Sequence, residues 1–205
     1  MKGSPIAAVL CAPGTNRDSD VSFALTQAGA TPISYLMSDL ISQPSRIDDA
    51  DIIVIAGGFS YADALGAGRL FAVELENSIG DRIRAAITER RPVIGICNGF
   101  QTLVRMGILP EDNRLVALGH NDGGVFDCRW IEMEPVSKKC IWTRNLNENI
   151  HCPIAHGEGR FTAGSSTVSA LLRNDQVALR YVNGNPNGSV GDIAGLCDPT
   201  GVVLG

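Results

Sequence analysis

Three apolar runs, each cut off by glycine or opened by proline, constrain this chain more than any other feature. They are Ile6–Cys11, Asp51-Ile52-Ile53-Val54-Ile55-Ala56 and Pro92–Ile96. None alternates polar with apolar residues, so each fits a strand covered on both faces rather than one with a wet side. Helical patterns lie between and after them. Asn16–Gly29 ends in glycine, as helices often do. Asp81–Arg91 is polar with Ile83 and Ile87 one turn apart, and a further helix runs from Cys97 to near Gly107. Pro32–Leu36 supplies another strand. This alternation predicts an α/β fold: a doubly wound, mostly parallel sheet with helices on both faces.

The second half reads differently. Phe126–Met133, Gln176–Val182 and Asp192–Cys197 are strand-like, and glycine- and asparagine-rich turns separate them. Asn183-Gly184-Asn185-Pro186-Asn187-Gly188 is a loop by composition. Antiparallel strands added to a parallel core fit this half. The 205 residues show no repeat, low-complexity tract or long linker, so a single domain over 1–205 is expected.

A hydrophobic content of 44% against 19% charged residues suits a folded globular chain. The net charge of −5 gives no electrostatic reason to expect nucleic acid or an anionic membrane as partner. No apolar run reaches the length of a membrane span, and Met1–Pro5 leads straight into the first strand without the organisation of a signal peptide. Six cysteines stand at 11, 97, 128, 140, 152 and 197, with no C-x-x-C pair. Cys152 and His156, four apart, lack two further donors for a metal site. No metal site is expected, and the thiols read as reduced and mostly structural in a cytoplasmic chain.

Cys97 is the exception. In Gly95-Ile96-Cys97-Asn98-Gly99 a strand turns at once into a helix, which strains the residue at the turn and demands small neighbours. The same design lifts a serine above the sheet of the α/β hydrolases. A sulfur there lies at a helix N-terminus, whose partial positive charge favours the thiolate. Gly57-Gly58, at the end of the neighbouring strand, offers backbone N–H groups that could form an oxyanion hole with the N–H of Asn98. A thiol nucleophile also needs a base. Of three histidines, only His156 has a nearby carboxylate: in an extended Pro153–Arg160, His156 and Glu158 share a face. His120 and His151 read as surface or turn residues. Gly66-Ala67-Gly68-Arg69 is glycine-rich but lacks the lysine and hydroxyl of a phosphate-binding loop.

Six segments occur in order: Ala12–Asn16, Gly57-Gly58-Phe59-Ser60-Tyr61, Leu65–Arg69, Gly95–Gln101, Pro153–Arg160 and Asn185–Ser189. Together they resemble the glutaminase subunits of phosphoribosylformylglycinamidine synthase, class I (triad-type) glutamine amidotransferases of purine biosynthesis, over nearly the whole chain. The resemblance implies that Cys97 attacks the side-chain amide of glutamine, forming a glutamyl thioester and releasing ammonia. A separate synthetase subunit would use that ammonia with ATP and Mg to convert formylglycinamide ribonucleotide to its amidine, and a small bridging subunit is a further partner. This chain itself would carry no cofactor. The resemblance makes Gly58 and Asn98 oxyanion donors beside Gly57, and Gln101 a pocket residue behind the elbow. It also makes His156, Gly157 and Glu158 part of a loop lining the glutamine site.

The family's catalytic histidine and glutamate lie in an H-P-E segment that would follow Gly205. The resemblance therefore removes His156 and Glu158 from the triad and implies a C-terminally truncated domain with a nucleophile but no base. Two other readings are a non-catalytic subunit that holds a synthetase partner, and a cysteine hydrolase of the same fold. The latter relatives usually carry histidine directly after the nucleophile, where this chain has Asn98.

Overall fold

The computed structural model describes residues 3–111 and 115–205. They fall into two compact units, one running to Met106 and including Gly205, the other Gly107–Leu204.

The first unit contains β1 (Ile6–Cys11), α1 (Asp18–Gln27), β2 (Thr31–Leu36), α2 (Met37–Ser42), β3 (Ile52–Ile55), α3 (Arg69–Thr88), β4 (Val93–Gly95) and α4 (Asn98–Arg105). Short 3-10 turns occupy Pro44–Ile47 and Ser60–Asp63. The strands pair in parallel in the order β4-β3-β1-β2, with Val9 opposite Val54 and Val54 opposite Ile94. The chain crosses from β1 to β2 in one direction and from β2 through β3 to β4 in the other. Right-handed crossovers then put α1 on one face and α2 and α3 on the opposite one. The three apolar runs therefore are strands covered on both sides. Val9, Cys11, Val54 and Ala56 pack under Val21 and Leu25 of α1, while Ala8, Leu10, Ile53 and Ile55 alternate to the other face and are fully buried.

The helix expected over Asp81–Arg91 is the second half of α3, which begins twelve residues earlier. Phe71, Leu75, Ile79 and Ile83 form a continuous buried stripe along it, each side chain contributing roughly 1.5–3 kcal/mol of burial. Gly80 interrupts this pattern in the sequence. A Cβ there would approach Arg84 Nη1 at 3.0 Å and Glu76 Oε2 at 3.1 Å, on two side chains that pair beside it through Arg84 Nη2 and Glu76 Oε2 at 2.9 Å. Tertiary packing thus overrides the low helix propensity of that residue.

The second unit contains β5 (Val116–His120), β6 (Asp127–Pro135), β7 (Ile150–His156), β8 (Glu158–Ala163), α5 (Ser165–Arg173), β9 (Val177–Val182), β10 (Ile193–Leu196) and β11 (Val203–Leu204). Antiparallel pairing builds one sheet in the order β10-β9-β6-β7 and a second from β5 and β8. The antiparallel strands thus form sheets of their own. No helix among the described residues is long and apolar enough to cross a membrane.

Candidate active site

Cys97 caps the N-terminus of α4 with φ 56° and ψ −108°, a conformation that an L-residue adopts only under constraint. The glycines on either side make it attainable. A Cβ on Gly95 would lie 2.5 Å from the carbonyl oxygen of Gly99, and one on Gly99 would collide with the carbonyl oxygen of Ile55 in β3. The elbow therefore fits only because strand and helix are stripped of side chains where they touch. Cys97 is exposed at its tip.

Two further loops of the first unit meet the elbow. Gly58 pairs with Thr15 in an antiparallel bridge, and Tyr61 N–H donates to the Pro13 carbonyl at 2.6 Å. Gly58 holds φ 128°, and a Cβ on it would strike Asn16 Oδ1 at 2.6 Å. Fixed in this way, the N–H of Gly58 points at the Cys97 sulfur, as does the N–H of Asn98. The two N–H groups singled out in the sequence thus converge on the Cys97 sulfur. A Cβ on Gly57, one residue earlier, would sit 3.0 Å from the Ile96 carbonyl oxygen and 3.4 Å from Cys97 Cβ, so the chain passes close beside the elbow there.

The side chain of Asn98 does work that the sequence did not reveal. It is 2% exposed, accepts from the Ser60 hydroxyl at 2.5 Å and donates to Asp63 Oδ1 at 3.0 Å. The loop it holds is strained, with Tyr61, Ala62 and Asp63 at φ 53°, 52° and 52°. Ser60 lies inside a segment already singled out; Asp63 carries no sequence signal. Gln101 is buried one turn along α4, beside Thr102, whose hydroxyl donates back to the Asn98 carbonyl at 2.8 Å.

The electrostatics of Cys97 differ from the sequence expectation. Crowding by surrounding protein pushes the thiol above its ordinary value; the Asn98 N–H pulls it down, the Asp63 carboxylate pushes it up, and the Gly58 N–H and Arg17 pull it down. The helix N-terminus does favour the thiolate, but desolvation outweighs it. Burial therefore favours the protonated form of the sulfur.

His156 and Glu158 belong to the second unit, and the structure does not pair them. Pro153–Arg160 is not one extended strand: β7 ends at His156, Gly157 intervenes, and β8 starts at Glu158. The imidazole turns to Asn121, with Nδ1 at 3.0 Å from Asn121 Oδ1. The Asn121 amide nitrogen donates at 2.9 Å to the carbonyls of both Val125 and His156, which leaves its oxygen as the acceptor and the proton on Nδ1. Gly159 lies against the ring, 3.1 Å from its atoms once a Cβ is built. Glu158 instead lies 4.0 Å from His120 Nδ1. His120 and His151 are 83% and 69% exposed, as expected of surface residues. Among the described residues no cluster of three metal-ligating side chains occurs.

The model of the CobB/CobQ-like glutamine amidotransferase domain matches residues 4–205. The chain belongs to this family. It is 46% identical to a phosphoribosylformylglycinamidine synthase subunit PurQ of Treponema denticola, over 98% of this chain and 85% of that one. A subunit of the same name from Methanococcus maripaludis is 35% identical, covering 100% of this chain and 81% of the relative. Among solved structures, PurLQS from Thermotoga maritima superposes with a TM-score of 0.82 at 34% identity, covering 98% of this chain and 85% of that chain. A further glutamine amidotransferase from Thermotoga maritima shares only the fold, with a TM-score of 0.61 at 14% identity.

Proposed function

We propose that this amidotransferase is the glutaminase subunit of a phosphoribosylformylglycinamidine synthase, releasing ammonia from glutamine for a synthetase subunit. The observation that carries the reading is the elbow: an exposed cysteine at φ 56° whose sulfur receives the N–H groups of Gly58 and Asn98. The relatives named PurQ and the PurLQS structure support the subunit role, the synthetase partner and a small third subunit.

In this reading the Cys97 sulfur, as thiolate, adds to the carboxamide carbon of glutamine. Negative charge develops on the amide oxygen, and the two N–H groups beside the sulfur stabilise it. The proton that the Cys97 thiol gives up passes to the amide nitrogen, the C–N bond breaks to release ammonia and leave a thioester, and water then hydrolyses the thioester to glutamate and restores the thiol. Gln101 supports the elbow from behind, and Gly57 keeps the chain beside the elbow free of a side chain. Glutamine-pocket roles for His156, Gly157 and Glu158 are part of the same proposal. A His156–Glu158 dyad is not, because each of the two side chains faces a different neighbour.

ATP and Mg act in the synthetase subunit, and this chain needs no cofactor. In support, Gly66–Arg69 lacks the lysine and hydroxyl of a phosphate loop, and Gly68 packs against α4, within 2.9 Å of the Thr102 backbone once a Cβ is built. A cytoplasmic location fits a biosynthetic subunit without a membrane-spanning helix in its described residues.

The test is ammonia release from glutamine by the chain assembled with its synthetase, before and after a glutamine-mimicking electrophile. Stoichiometric labelling of Cys97 with loss of ammonia release is expected, and Cys97→Ser should be inactive. Full activity of Cys97→Ser would overturn the assignment.

A further inference from the structure

The loop that brings the Gly58 N–H to Cys97 is held from two sides. Asn98 grips one side through Ser60 and Asp63; the other side rests on Tyr61. The Tyr61 N–H donates to the Pro13 carbonyl at 2.6 Å, on the loop after β1, and the Tyr61 hydroxyl donates to Glu74 Oε2 on α3. Beside it, the Phe59 N–H donates to the Gly14 carbonyl at 3.3 Å, and the Phe59 carbonyl accepts from the Ala62 N–H at 2.9 Å. Only Phe59 and Ser60 lie between Gly58 and Tyr61, so a shift of the Tyr61 backbone is carried directly to the donor.

The turn that Tyr61 opens is costly. Tyr61 and Ala62 hold φ 53°, ψ 32° and φ 52°, ψ 25°, and Asp63 follows at φ 52°. L-residues visit that left-handed region singly, and a run of three persists only where the surroundings over-determine it. Glu74 supplies part of that constraint. Its carboxylate is half-buried, and among the described residues no cation pairs with it; the Tyr61 phenol is its hydrogen-bond donor. A hydrogen bond to a carboxylate is stronger than one between neutral groups, and a carboxylate drawn partly out of water demands such a donor. The acceptor also has a firm base, because the next residue, Leu75, belongs to the buried stripe that anchors α3.

We propose that Tyr61 and Glu74 are positioning residues for glutamine hydrolysis: the phenol–carboxylate bond ties the left-handed turn to α3 and keeps the Gly58 N–H aimed at the oxygen on which charge develops. Both act through the Gly58 donor rather than on glutamine itself, and the role rests on the glutaminase reading above. A displaced donor matters little while the amide oxygen carries little charge and most where the oxyanion forms. The bond therefore governs turnover rather than glutamine binding.

The test compares Tyr61→Phe, Glu74→Gln and the double variant, each assembled with the synthetase. Activity is counted per Cys97 labelled by a glutamine-mimicking electrophile, so unfolded chain does not enter. Both substitutions keep the shape of the side chain. Tyr61→Phe should lower kcat for ammonia release roughly tenfold, short of the loss of a whole oxyanion donor, with KM for glutamine within about twofold of wild type. Glu74→Gln should lose less, because its amide oxygen still accepts from the phenol, and the double variant should be no slower than Tyr61→Phe alone. A wild-type kcat in Tyr61→Phe, a loss carried by KM, or losses that multiply in the double variant would overturn the proposal. Cys97→Ser, run alongside, separates the two failures. Ammonia release that survives it would overturn the glutaminase reading, while an inactive Cys97→Ser beside a fully active Tyr61→Phe would overturn the positioning role alone.

Discussion

The Ser60 hydroxyl donates to Asn98 Oδ1 at 2.5 Å, and the same buried amide reaches Asp63 at 3.0 Å. One side chain at the first position of α4 therefore holds the loop that presents the Gly58 N–H to the Cys97 sulfur. Asn98→Ala keeps the backbone donor of residue 98 but strips the loop of its anchor and leaves Ser60 buried and unpaired. Stability should drop by about 1–3 kcal/mol. The rate of ammonia release should fall on the order of tenfold to a hundredfold, in kcat more than KM, because a misplaced donor is felt where charge develops. Steady-state kinetics and urea unfolding of the variant check both. An unchanged kcat would show that the loop needs no such anchor.

Crowding around Cys97 leaves its thiol pKa raised, with Asp63 pushing it further up and Arg17 drawing it down. Alkylation by iodoacetamide should rise with pH through a midpoint above the roughly 8.5 of free cysteine. Asp63→Asn should move that midpoint down and Arg17→Gln should move it up. The stability contribution has the matching sign: the native state favours the protonated thiol. That contribution is whole below the unfolded value and is lost as pH rises through the folded one. Rate–pH profiles of labelling at Cys97, read by peptide mapping, decide the matter, and a midpoint at or below that of free cysteine would contradict the structure.

The sequence made the elbow legible because its requirements are local. Cys97, its two flanking glycines and the strand-to-helix switch all lie within a few residues, and backbone geometry dictates the residue types. Gly58 could be tied to Cys97 because both close neighbouring strands of a parallel sheet. What it could not show was Asn98 in its second role, since Ser60 and Asp63 are more than thirty positions away. The pairing of His156 with Glu158 failed for the opposite reason. Two-residue spacing places side chains together only in a continuous strand, and Gly157 breaks that strand.

Gly99 admits a sharper test of the elbow. A Cβ there would collide with the carbonyl oxygen of Ile55 and come within 2.9 Å of its carbonyl carbon, both rigid backbone atoms of β3. Gly99→Ala must therefore move α4 or β3. The expected loss is at least about 3 kcal/mol, at the upper end of overpacking effects. Gly107→Ala is a control of another kind, with open space but φ +69°, and should cost only about 1 kcal/mol. Thermal unfolding of the two variants checks the ranking, and equal losses would mean that the strand–helix contact is not tight.

The parallel half of the fold was readable because strands buried on both faces leave unbroken apolar runs. The antiparallel half was read only in part. β7, with Pro153 near its middle, and the short β5 and β8 carry no clean alternation, so pairing partners far along the chain define them. Residues 150–156 form a strand because seven of them lie opposite Asp127–Met133 in register, a long-range condition that no local window contains.

His156 yields a pH test. Burial lowers its pKa from the ordinary histidine value, against smaller raising effects from its own backbone and from Asp127. The native state therefore favours the neutral ring, with its proton on Nδ1 toward Asn121. Its contribution to stability is present above about pH 6.5, the unfolded value, and is lost as pH falls through the lower folded value. His156→Gln should be less stable than wild type at pH 7.5 by about 1–2 kcal/mol, through loss of packing on Gly159 and of the Asn121 bond. At pH 5 that gap should narrow, because only the wild-type chain has a buried ring to charge. Urea unfolding of both proteins at the two pH values measures the gap directly. A gap that stays constant or widens in acid would mean that the imidazole is not held neutral by burial.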